Sequence, residues 1–273
     1  MMSSPNTVPF SVTLGACARE KGFAYLFDLL YTLVVRDMKV RYEGSVIGVA
    51  WSFGAPLLLL VVFQFLFRTV LAIDIPRYSS FAFTGILVWT WVQAALTQSA
   101  GAITGSRELV KRPGFPLSVL PVMTVSTAMI HFLLGLPILG LFIVFGGGEF
   151  RATVLALPLL IGLQFVLLLG VGYLVATANV LFRDTQHLLM VFLQLLFFLS
   201  PIFYEAKAVP ASYRFVYNLN PIVHLIDGYR AILLQGVMPD GSVLAGVAVF
   251  AAGVLYAGHR TFVRVSYRFA EEL

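Results

Sequence analysis

Residues 34–56 read VVRDMKVRYEGSVIGVAWSFGAP, and the change of character inside this stretch decides the fold. A charged, amphipathic segment ends at Arg41-Tyr42-Glu43 and gives way at once to an apolar run. Nothing between Glu43 and Arg68 carries a charge. A helix lying in a membrane surface and feeding a membrane-spanning helix is the simplest physical reading. Upstream, Phe23, Leu26, Phe27, Leu30, Leu33 and Val34 recur at helical spacing. The charge-free piece between Asp28 and Arg36 is too short to span, so residues 18–43 are expected as an amphipathic interface helix. A flexible polar cytoplasmic tail is expected over 1–17.

Composition points the same way. The chain has 273 residues, 59% hydrophobic and 11% charged, and a mean hydropathy of +0.92. An average soluble domain is about 25% charged. A net charge of +5 would suit nucleic acid, but the charges cluster at the ends of apolar runs. Cys17 has no disulfide partner in the chain, and no Cys/His spacing suggests zinc or another metal site. No cleavable signal peptide is evident, because Arg19, Lys21, Asp28, Arg36 and Asp37 interrupt the start of the chain.

Each span needs about 20 apolar residues. The first fits within Gly44–Phe67, the second within Tyr78–Ser106, and the third in the charge-free run Pro113–Gly148. That third run reads as one long helix bent by Pro116, Pro121 and Pro137. Ala152–Leu181 and Thr185–Tyr204 make the fourth and fifth, and Gly241–His259 the sixth. The expected fold is an all-α integral membrane protein, with a six-span domain over 44–260 and a C-terminal tail over 261–273. Within the external segment 201–236, the apolar pieces Ser200–Tyr204 and Pro221–Leu234 are too short to cross. Short re-entrant helices fit there if protein or water covers their ends. A plain loop is the alternative, against which Asn220-Pro221 before an apolar helical pattern argues.

The Lys/Arg bias orients the spans. One side collects Arg19, Lys21, Arg36, Lys39, Arg41, Arg107, Lys111, Arg112, Arg183, Arg260, Arg264 and Arg268, twelve of the 18 basic residues. The other side holds the remaining six, so both termini are expected in the cytoplasm.

Catalytic patterns are absent. None of the four lysines sits in a Gly-Lys-Ser/Thr phosphate loop, and the six aspartates form no Asp-x-Asp pair. His131, His187, His224 and His259 are scattered. His131 lies inside a span, where a proton relay and a ring packed between helices are both open readings.

Three features remain. The connection Arg107-Glu108-Leu109-Val110-Lys111-Arg112 suits a short helix docking on a soluble partner, with Leu109 and Val110 as apolar anchors; an ordinary positive-inside loop has the same composition. In the second span Trp89, Gln93 and Thr97 share one helical face, and Gln194 and Phe198 share another in the fifth, with Tyr204 beyond it. Aromatic faces and amides suit sugar rings, although interhelical hydrogen bonds use such glutamines, including Gln64 and Gln164, without any ligand. Arg36, Lys39 and Arg41 stand before the first span, where they attract anionic headgroups in general or a lipid-linked pyrophosphate in particular.

Four stretches in order, RDMKVRYEGSVIGVAWSFGAPLL, ELVKRPGFPLSVLPV, LFRDTQHLLMVFLQLLFFLSPIFY and VPASYRFVYNLNPIVHLIDGYRAILLQG, resemble the ABC-2 type permeases of polysaccharide export. Exporters of O-antigen, capsule and teichoic acid belong to that group, and the opening Arg-Tyr-x-x-Ser-x-x-Gly-x-x-Trp pattern is closest to O-antigen permeases. The resemblance covers Arg36 to the C-terminus. It implies a homodimer in the bacterial inner membrane, joined by two ATPase subunits that bind ATP and magnesium, so this chain itself needs no cofactor or catalytic residue. It further implies that Arg107–Arg112 is a coupling helix, that 201–236 caps the exit, where periplasmic export proteins are candidate partners, and that the first and fifth spans of opposing subunits frame the path of a lipid-linked glycan. The family commonly has a charged residue after Phe115-Pro116; here Leu117 stands. The rivals are an ABC-2 exporter of a drug or small lipid, a membrane enzyme acting on polyprenyl-linked sugars, and a structural envelope component.

Overall fold

The computed structural model describes residues 22–42, 51–70 and 75–269, and every regular element among them is helical. The expected tail 1–17, residues 18–21, the start of the expected first span at 44–50 and the last residues 270–273 lie outside the described residues. Helix α1 covers Phe23–Tyr42. Helix α2, Trp51–Gln64, passes directly into a π-helical turn, Phe65–Val70. Then follow α3 (Tyr78–Gly101), the short α4 (Arg107–Val110), α5 (Val119–Phe145), α6 (Leu157–Leu181) and α7 (Thr185–Leu199). After an irregular crossing come α8 (Arg214–Asn218), α9 (Pro221–Arg230) with a π-helical turn Ala231–Gln235, and α10 (Gly241–Val265).

Helix α3 is the centre of the bundle, with 17 of its 24 residues buried. It packs on α2, α5, α6, α7 and α9, while α6 makes its most extensive contact with α10. Among the described residues four stretches are long and apolar enough to cross a membrane: Tyr78–Gly101, Val119–Phe145, Ala152–Leu181 and Gly241–Arg268. Among the described residues the expected first and fifth spans hold the shorter apolar helices Phe53–Gln64 and Thr185–Leu199, the start of the first lying outside the described residues. Alternating chain direction places the Arg107–Arg112 turn at one end of the bundle and residues 201–236 at the other.

Prolines account for most boundary differences. Helix α5 starts at Val119 rather than Pro113, because Pro113 and Pro116 bias the residues before them away from helix and Gly114 turns with φ +75°. Pro116 therefore precedes the helix instead of bending it, Pro121 sits in its first turn where no N–H is needed, and only Pro137 is interior. Helix α7 stops at Leu199, short of the expected Tyr204, because Pro201 drives Ser200 into extended backbone (ψ 150°). Its 15 residues reach only about 22 Å at ~1.5 Å each. Helix α10 runs past His259 to Val265.

Buried polar side chains tie the bundle together, each contributing a modest amount in an apolar surrounding. Gln164 Nε2 donates to the Val88 carbonyl at 3.2 Å, Asn179 Nδ2 to the Ala100 carbonyl at 2.8 Å, and Ser99 and Thr124 share a hydrogen bond of 2.8 Å. Ser79 donates to Gln64 Oε1 at 3.0 Å. Two of the glutamines weighed as sugar contacts, Gln64 and Gln164, thus hold helices together.

Residues 201–236 are not a plain loop. Asn220 caps α9, its Oδ1 accepting from Ile222 N at 3.0 Å, and Pro221 occupies the first turn. At the far end Gly236 adopts φ +67°. There Arg77 Nη2 and Thr153 Oγ1 donate to the carbonyls of Leu234 (2.8 Å) and Ile232 (3.1 Å). Protein groups therefore cover both helix ends.

Candidate functional site

At the Arg107–Arg112 end, α4 lies across the bundle. Val110 is 7% exposed and Leu109 packs beside it, both against a cluster that includes Ile103, Leu120, Tyr173 and Phe262 from four different segments. The two apolar residues expected to anchor a partner are turned towards this chain's own core. Arg107, Glu108, Lys111 and Arg112 form the outward face, and all four are exposed. Tyr173 Oη donates to the Ser118 carbonyl at 2.9 Å and fixes the start of α5 against α6.

Between α2, α3 and α7 lies an aromatic cluster. Phe203, in the crossing after α7, stacks on Phe63 of α2 with centroids 3.6 Å apart and planes 14° from parallel. Phe197 meets Phe63, Trp89, Phe198 and Phe203 at 5.1 to 6.5 Å. Trp89 is buried here, whereas Phe198 and Gln194 are exposed on α7. Gln93 is exposed and Thr97 half-buried, successive turns from Trp89 towards the Arg107–Arg112 end. Tyr204, half-buried, donates to the Phe198 carbonyl at 3.3 Å. The sequence-derived residues thus gather on α3, α7 and the crossing, with the π-helical turn of α2 starting just after Phe63; such turns recur at functional sites.

Of the three basic residues before the first span, Arg36 and Lys39 are exposed on α1. Arg41 is engaged, its Nη2 3.1 Å from Gln98 Oε1 and 3.3 Å from Asp37 Oδ2. Tyr42 Oη and His131 Nε2 share a hydrogen bond of 2.6 Å, their rings edge to face. His131 therefore joins α1 to α5.

The opposite end holds a residue that pattern reading missed. Arg230, at the end of α9, is 2% exposed. Its guanidinium stacks 3.4 Å from the Phe81 ring centroid and donates to two carbonyls: Phe81 (3.2 Å from Nη2) and Ile202 (2.8 Å from Nη2). Asp227 Oδ1 lies 3.9 Å from Nη1. Burial pulls Arg230 down to about 10 against the raising influence of Asp227, and burial pushes the Asp227 carboxyl up against Arg230 and His224. The available signal was a lone arginine at the end of an apolar helical pattern, a position the helix dipole favours for a cation. Beside it Asp227, Glu205, Lys207, His224 and Asp240 line an open cavity of about 420 Å³.

Comparison with known proteins shows the family. The ABC-2 type transporter family matches residues 28–234. The chain is 31% identical over 251 residues to the O-antigen export system permease protein RfbA of Klebsiella pneumoniae, covering 91% of this chain and 96% of that protein. It is 33% identical over 248 residues to RfbA of Myxococcus xanthus (90% and 95%). It is 26% identical over 247 residues to the polysialic acid transport protein KpsM of Escherichia coli (88% and 94%).

Proposed function

Because the chain belongs to the ABC-2 type transporter family, we propose that it works as a homodimer in the bacterial inner membrane, exporting a lipid-linked polysaccharide on ATP hydrolysed by a separate subunit. It is an ABC-2 permease homologous to O-antigen and capsule export permeases. The observation that carries the substrate class is the match to such permeases along nearly the whole chain.

Six helical passages, with α2 and its π-helical turn as the first and the 15-residue α7 as the fifth, put both termini in the cytoplasm. The charged face of α4 meets the ATPase. Val110 and Leu109 root that helix in the cluster shared by the turn after α3, α5, α6 and α10, so a displacement of α4 is passed to all four. ATP-bound partners drive transport only if they bind one arrangement of the spans better than the other. The glycan passes between two copies, along the exposed faces of α2 and α7, where Phe198, Gln194 and Gln93 supply ring faces and amides. Arg36 and Lys39, free of the bonds that occupy Arg41, meet the anionic head of the carrier at the cytoplasmic mouth.

Purifying the tagged chain from its native host tests the assembly. A stoichiometric Walker A protein is expected, and reversing charge on α4 (Arg107→Glu with Lys111→Glu) is expected to abolish surface glycan while the permease remains in the membrane. A preparation free of ATPase, under conditions that preserve membrane complexes, overturns the reading.

A further inference from the structure

The crossing 200–204 is where the chain leaves α7 and must pass over α3 to reach the segment at the far end. Three features hold it there. First, Arg230 reaches from α9 and donates 2.8 Å to the Ile202 carbonyl while also donating to the Phe81 carbonyl of α3. Bonds from an ionised donor are about twice as strong as neutral ones, and the planar guanidinium serves two acceptors and a ring face at once. Second, α3 presents Gly85 beneath the crossing. A Cβ there would lie 2.9 Å from Ile202 Cα and 3.0 Å from Arg230 Nη2, so only glycine lets the crossing sit this close. Third, the next residue, Phe203, stacks on Phe63 of α2 at 3.6 Å. The contact chain therefore runs α9, Arg230, Ile202, Phe203, Phe63, α2. Each end of it is followed by a π-helical turn, Phe65–Val70 after α2 and Ala231–Gln235 after α9.

From this geometry we infer that Arg230 is a positioning residue for export: it fixes the 200–204 crossing on α3 and, through Phe203, the outer end of α2, so that the outer mouth of the path moves as one body. The inference rests on the export reading for what the path carries. Without the guanidinium, the crossing keeps its covalent links but loses the two-carbonyl clamp. The outer end of α2 then no longer follows α9, and ATP hydrolysis continues without delivering glycan.

The test uses the complete transporter with its ATPase, in a Cys17→Ser background carrying Ile202→Cys. Ile202 is 0% exposed, and substituting its side chain leaves the clamped carbonyl in place. A membrane-impermeant maleimide reads exposure of the crossing, and glycan delivered per ATP hydrolysed reads coupling. Arg230→Gln is expected to raise the labelling rate and lower the delivery ratio, each by about tenfold, the scale of one lost charge-assisted bond. Arg230→Lys, with the charge but not the planar fork, falls between. Gly85→Ala lifts the crossing from the other side and is expected to change both readouts in the same direction. Loss of fold alone would lower hydrolysis and delivery together, leaving their ratio unchanged. Wild-type labelling and ratio in Arg230→Gln and Gly85→Ala overturn the inference; if Arg230→Gln fails to assemble, Arg230→Lys and Gly85→Ala decide by the same readouts. Surface glycan that survives deletion of the gene sinks the export reading separately, while the labelling result still judges the clamp.

Discussion

Phe198 is 57% exposed and Trp89 only 2%, although both rings touch Phe197. The same substitution should therefore do different things. Trp89→Ala opens a void in the core and is expected to cost on the order of 3–5 kcal/mol, as large-to-small changes do, lowering the thermal midpoint of the purified protein. Phe198→Ala should leave that midpoint nearly unchanged and reduce only glycan display; display at the wild-type level would remove Phe198 from the path. Sequence spacing placed Trp89, Gln93 and Thr97 on one face, but it cannot say whether a face is core or path when nearly every residue around the helix is apolar. Asp227 gives folding a pH dependence. Partial burial pushes its carboxyl above the ordinary 3.8, so between the ordinary and the raised value the folded state holds a proton that the unfolded chain releases. Stability then rises as pH falls through the raised value and levels off near the ordinary one. Arg230, His224 and Glu205 are the charged or titratable groups acting on it. Thermal unfolding of wild type and Asp227→Asn across that range checks the sign: the wild-type midpoint should gain on the variant's as pH falls.

At the scale of elements, the most extensive helix contact among the described residues is between α6 and α10, and glycines permit it. A Cβ on Gly170 would lie 2.6 Å from Leu255 N and 2.8 Å from its Cα, and one on Gly258 would collide with the Gly170 carbonyl. Membrane helices approach this closely only where side chains are small. Gly258→Leu is expected to separate the two helices and cut the yield of folded, detergent-stable protein severalfold, whereas Gly253→Leu, with open space around it, should be tolerated. Equal yields from the two variants would mean that this contact does not limit folding. Most elements were legible from where charge stops and apolar sequence begins: α1, α3, α6 and α10 fall within a few residues of the expected stretches. Helix ends were less so, because a charge-free run continues through Pro113–Ser118 and Ser200–Tyr204 where proline geometry has already ended the helix. Asn220-Pro221 announced the start of α9. Its burial did not show, because that depends on Phe81, Gly85 and Ile202, distant in sequence.

For the whole molecule, the question is what covers the faces this chain leaves bare. Helix α7 exposes Leu188, Val191, Phe192, Leu195, Phe198 and Leu199, a stripe at helical spacing, and has one buried residue, Leu193. Helix α2 exposes Leu58, Val61, Val62 and, in its π-helical turn, Phe65. Both lean on α3 and lie outside the four long apolar stretches. Lipid covers apolar side chains at little cost, so exposure alone does not demand a protein partner. Exposed amides do: Gln194 on α7 and Gln93 on α3 are both exposed, and lipid cannot hydrogen-bond them, whereas a protein-lined or water-filled path between two copies can. The axis of the proposed homodimer is therefore expected beside α7 and α2. Cysteine at Leu195, in a Cys17→Ser background, should form an intersubunit disulfide on mild oxidation of native membranes. Cysteine at Leu155, exposed but on the segment leading into α6, should not. A crosslink at Leu155 with none at Leu195 or at Val61 would move the interface to the α6 side of the bundle and take Phe198 and Gln194 out of the path with it.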